Sequence, residues 1–150
     1  MGTISAGEGN SSYLQAGPSG LLSPIIWRIL SALALLAMGG IHLYLVFDGV
    51  GGVLGVLFVL NAIGGLLLAV AVLAAPRRFL LVASVLGLLF LVGTLLALVL
   101  ALTVGLFGIT ETLDFTLVPT TLVVESVGIV VLAVTTALAF RMQRTRPAHS

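Results

Sequence analysis

Four unbroken apolar stretches fill most of this chain: Pro24 to Phe47, Val50 to Ala75, Phe79 to Phe107 and Leu117 to Phe140. A helix needs about 20 apolar residues to cross a bilayer, whereas a barrel strand needs only about 9–11 and alternates polar with apolar side chains. These runs are long and do not alternate, so they predict helices. Their interior backbone groups must pair within each segment, because lipid offers no partner. Composition points the same way: 60% of residues are hydrophobic and 7% are charged, against about a quarter charged in a soluble domain. The expected class is all-α, an integral membrane four-helix antiparallel bundle.

The breaks between the runs carry recognisable turn chemistry. Asp48-Gly49 followed by Gly51-Gly52 lets the chain reverse after the first run. Pro76 cannot continue the second helix, and Arg77 and Arg78 follow it. Connections this short make sequential helices antiparallel neighbours. The third link, Gly108 to Val118, is the one substantial loop, and Pro119 suits the first turn of the last helix. Residues 1–23, rich in Gly and Ser, read as a flexible N-terminal tail, and residues 141–150 as a basic tail. A signal peptide with its apolar region starting at Ile29 is the alternative for the first run. Continuation through Ile41 to Phe47 favours a retained span.

Orientation is expected from the basic residues, all of them arginine. Arg28, Arg77, Arg78, Arg141, Arg144 and Arg146 fall on one side of a four-span layout, and Asp48, Glu111 and Asp114 on the other. The positive-inside rule then puts both termini in the cytoplasm of a cell with the chain in its plasma membrane. Arginine without lysine, alongside much Ala, Gly, Val and Leu, suits a GC-rich bacterial and actinobacterial-type genome, hence a bacterial inner membrane. Trp27 and Tyr44, near opposite ends of the first span, are placed as interface aromatics.

Within the spans, Glu125 is the one acidic residue in its apolar run, and an ionisable group at membrane depth is a functional-site hypothesis when a partner can be named. At 1.5 Å rise per residue His42 lies about 8 Å, Glu125 about 9 Å and Asn61 about 12 Å below the acidic side, with Thr103 at a comparable level. The functional reading is a His42–Glu125 pair, with Asn61 and Thr103 nearby, binding a proton, a cation or a small polar ligand. Histidine changes charge near neutral pH and can ligate metals. The structural reading is interhelical glue, each such bond contributing about 0.6 kcal/mol on average. Glycines beside these residues, Gly39-Gly40, Gly64-Gly65 and Gly128, allow helices to approach closely. Small-residue spacings at Gly51–Gly55, Ala97–Ala101–Gly105 and Ala133–Ala137 lay similar grooves.

Other chemistries lack their residues. Cysteine is absent, so disulfides, thiolate metal sites and cysteine nucleophiles are excluded together. No lysine is present for a phosphate loop, and neither a Gly-x-Ser-x-Gly elbow nor a His-Glu-x-x-His pair occurs. His149 lies in the basic tail, so a bis-histidine haem site or a zinc site would need a symmetric oligomer. No cofactor and no metal are expected. Glu111 and Asp114 could share a face of the outer loop and attract a cation, or simply be solvated. A net charge of +1 gives no reason to expect nucleic acid. The expected partners are the lipid bilayer and a membrane-protein partner or second copy.

The stretch Gly39-Gly40-Ile41-His42-Leu43, with the four-span layout, resembles the DoxX-like membrane proteins, whose first helix often ends in a Gly-x-His-Leu-type stretch. The resemblance covers only these residues and the layout. It implies a membrane accessory or redox-associated role and assigns no residue a task. The leading expectation is a non-enzymatic accessory or binding subunit. The alternative is a small transporter or channel using Glu125 and His42.

Overall fold

A computed structural model describes residues 24–105 and 117–144. Residues 1–23, residues 145–150 and the segment holding Glu111 and Asp114 lie outside the described residues. Four helices account for nearly all the rest: α1 (Pro24–Phe47), α2 (Gly52–Ala74), α3 (Arg77–Thr103) and α4 (Val118–Arg144). All four are long and apolar enough to cross a membrane, and they pack antiparallel in a ring in which each helix touches the next and α4 closes on α1. The chain is thus a polytopic membrane protein with four candidate spans.

The helix ends show why the bounds fall where they do. α1 stops in a Schellman motif: the Val50 N–H donates to the Leu45 carbonyl at 3.0 Å and the Gly49 N–H to Val46 at 3.3 Å. Gly49 takes φ 107° and Gly52 φ 63°, conformations open to glycine at little steric cost. α2 therefore begins at Gly52 and not at Val50. Pro76 caps α3, its carbonyl accepting from Phe79 at 2.8 Å and Leu80 at 3.1 Å, which draws Arg77 and Arg78 into the first turn. α3 ends at Thr103 rather than Phe107, beside Gly105 at φ 79°. α4 continues past Phe140 to Arg144, with Arg141 and Arg144 in its last turn, where cations complement the helix dipole.

Packing is closest between α1 and α2. A Cβ added to Gly65 would lie 2.9 Å from the Leu35 carbonyl oxygen, and one on Gly39 would lie 3.2 Å from that of Ala62. The helices cross on bare backbone. Leu35, Met38, Val72, Leu91 and Leu132 form the buried centre. Toward the arginine-bearing end, Arg28 reaches across to the carbonyls of Val72 (2.9 Å), Leu73 (2.6 Å) and Ala75 (2.6 Å). These belong to the last turn of α2, where no intrahelical donor remains. Ser31 and Thr135 meet at 2.8 Å and tie α1 to α4. Trp27, near the start of α1, is half-buried, and its Nε1 is enclosed without an acceptor among the described residues. Tyr44 is half exposed. Outward faces carry leucine, valine and isoleucine throughout, an apolar surface larger than a soluble monomer presents. Ala133 and Ala137 are on that outer surface, so their groove is unused within the bundle.

Candidate functional site: a cavity between the second and third helices

α2 and α3 pack least closely of the neighbouring pairs. The Phe90 ring is seated against Gly64, where an added Cβ would come within 2.9 Å of Cζ. On the side of this contact away from the arginines, α2 and α3 flank a partly open cavity of about 510 Å³, to which α1 and α4 also contribute. Ligand pockets commonly have about 300–1,000 Å³ and are mostly apolar with a few placed polar groups. This one fits that description. Its walls are largely leucine, valine, alanine and phenylalanine, and its polar members are His42, Asn61, Thr94 and Thr121, one from each helix.

Three of the four polar groups bond to their own helix. His42 is buried, its ring edge-on to Phe58 with centroids 4.9 Å apart. Its Nδ1 is 2.9 Å from the Met38 carbonyl, and a carbonyl only accepts, so Nδ1 carries the proton. Nε2 of the neutral ring is then an acceptor. Thr94 donates its hydroxyl proton to Leu91 at 3.0 Å, and Thr121 to Leu117 at 2.9 Å. Leu117 itself has φ 68° at the start of α4, and its carbonyl also takes the Thr121 backbone N–H at 2.8 Å. Asn61 is partly buried on the α2 wall.

Of the residues expected from sequence, His42 and Asn61 share this cavity. Glu125 and Thr103 are not on its wall. Thr103 is exposed, its hydroxyl bonded to Val99 at 2.7 Å on its own helix. Its depth had been counted back from Phe107, and the earlier end of α3 puts it at the rim. Glu125 is fully buried, and neither carboxyl oxygen makes a hydrogen bond. The Thr94 hydroxyl lies beside the carboxyl, but its proton is directed to Leu91, so contact between the two falls short of a hydrogen bond. No hydrogen bond joins His42 to Glu125: the imidazole Nδ1 bonds to the Met38 carbonyl, and both carboxyl oxygens lack a partner among the described residues. Thr94 and Thr121 went unnoticed in the sequence. The one signal for Thr121 was its position four residues before Glu125, on the same helix face.

Among the described residues no three His, Cys, Asp or Glu side chains are grouped as a metal site would require. No family model, curated protein or solved structure matches the chain. The DoxX-like resemblance therefore extends no further than Gly39–Leu43 and the four-span layout.

Proposed function

We propose that this protein is a membrane-embedded accessory or binding subunit that holds a small apolar molecule between α2 and α3. The observation that carries the reading is the 510 Å³ cavity, walled by hydrocarbon and supplied with one polar side chain from each helix. Gly93 lines the cavity and has open space where a side chain would stand. Gly93→Leu should therefore fill the site without disturbing its neighbours. Protein extracted from native membranes is expected to carry a small apolar molecule detectable by mass spectrometry, and Gly93→Leu to carry at least tenfold less. Equal amounts in the two proteins, or none in either, would defeat the proposal.

One observation favours a second reading, transport. Glu125 is a buried carboxyl without a hydrogen-bond partner, next to a threonine of the cavity wall, and intramembrane acids mark ion and proton pathways. On this reading Glu125→Gln abolishes flux in reconstituted vesicles while insertion is retained. Unchanged flux removes it. Both readings take the arginine-bearing end as cytoplasmic and the bilayer as a bacterial inner membrane, in accord with the arginine bias.

A further inference from the structure

We infer that the α2–α3 cavity selects a neutral, mainly hydrocarbon molecule bearing a hydroxyl group, an alcohol or a phenol. This rests on the binding reading above and narrows its ligand.

The inference follows from where the protons already are. Nδ1–H of His42 is committed to Met38, which leaves Nε2 with a lone pair and, among the described residues, no donor. The hydroxyl protons of Thr94 and Thr121 are committed to Leu91 and Leu117, so toward any further group both oxygens can only accept. Asn61 alone offers both a donor and an acceptor. Three of the four polar groups therefore accept and do not donate. A ketone, ester or ether oxygen would find one donor, the Asn61 amide, and would leave the imidazole lone pair unmatched. A hydroxyl carries both the proton that Nε2 can take and the oxygen that the Asn61 amide can donate to.

Charge is decided by the same lining. None of the residues around the cavity is acidic or arginine. A carboxylate or phosphate would meet three acceptors and no cation. An ammonium would lie in an apolar wall without a counter-charge on it, where burying an unpaired ion is far costlier than burying a hydroxyl.

The test uses the full chain in liposomes and three photoreactive probes with one hydrocarbon body: a diazirine-bearing aliphatic alcohol, its methyl ether and the corresponding carboxylic acid. Labelled residues are mapped by peptide mass spectrometry. A neutral hydrogen bond, together with the penalty of leaving its acceptor bare, corresponds to roughly tenfold in affinity. The alcohol is expected to label cavity residues of α2 and α3 about tenfold more than the ether, and the acid less than either. His42→Phe, which keeps a ring against Phe58, should bring alcohol labelling down to the ether level. Asn61→Leu should also lower it, and covers the case in which the histidine variant does not fold. Equal labelling by alcohol and ether overturns the hydroxyl assignment and leaves the binding reading standing. Preferential labelling by the acid overturns the neutral assignment. Absence of cavity labelling by all three removes the binding reading as well.

Discussion

Replacing Glu125 with leucine should stabilise the bundle. The carboxyl is fully buried, and neither oxygen has a hydrogen-bond partner among the described residues. Protein mutational data put a buried polar group left without a partner at about 1–3 kcal/mol, and an ionised carboxylate would exceed that range. Leucine keeps a side chain of similar bulk at this fully buried position, and repacking after swaps of comparable volume usually costs less than about 1.5 kcal/mol. The difference leaves Glu125→Leu between neutral and about 2 kcal/mol more stable. Glu125→Gln removes no polar atom and adds an amide that also lacks a partner, so it should gain nothing. The two variants are compared with the natural chain by reversible unfolding in bicelles, or by steric trapping in lipid. A loss of more than about 1 kcal/mol for leucine would mean that the carboxyl is satisfied in the membrane, by water, an ion or a ligand. The reading of Glu125 as an unpartnered group would then be wrong.

Two further outcomes follow from backbone contacts and from charge placement. Gly65→Ala places a Cβ 2.9 Å from the Leu35 carbonyl oxygen, an overpacking expected to cost about 1–3 kcal/mol. Gly40→Ala meets nothing within 4 Å and should gain about 0.5–1 kcal/mol from helix propensity alone; similar thermal stabilities for the two would contradict the close α1–α2 crossing. Because the chain has no cysteine, single cysteines at Asp48 and Arg144 report orientation without background. A membrane-impermeant maleimide applied to intact cells should label the first and spare the second, and the reverse pattern would invert the assigned topology.

The helices were legible in the sequence because length alone separates a helical span from a strand, and because glycine and proline mark each turn. Gly49 ends α1 and Pro76 caps α3 for reasons of backbone chemistry that need no tertiary contact. Side-chain meetings were less legible. Uniformly apolar runs carry little information about helix rotation, so equal depth did not bring Glu125 to His42. The Ser31–Thr135 bond between α1 and α4 was hidden for a related reason. Serine and threonine can satisfy themselves on their own helix, as Thr103 does, so their presence in a run does not say which of them reach a neighbour. Arg28 was read only as a topological charge, yet it closes the end of α2 with three hydrogen bonds. Its separation from Val72 along the chain hid that contact.

These interactions are distributed unevenly along the bundle, and the unevenness bears on function. The arginine-bearing half holds the Arg28 clamp, the Ser31–Thr135 bond and the Gln143 side chain on the Arg78 carbonyl at 3.3 Å. The Gly39–Gly65 crossing secures the middle of α1 against α2. Beyond Phe90 on Gly64, by contrast, α2 and α3 are separated by the cavity, and no side-chain hydrogen bond joins them among the described residues. His42 Nδ1 and the Thr94 and Thr121 hydroxyls are bonded within their own helices, so drawing α2 and α3 apart breaks none of those bonds. Opening that seam exposes mostly apolar side chains, and in a bilayer those side chains meet lipid rather than water, so the hydrophobic effect offers little resistance. On the proposed binding reading, a ligand dissolved in the bilayer would enter sideways between these two helices, on the side away from the Arg28 clamp and the Ser31–Thr135 bond.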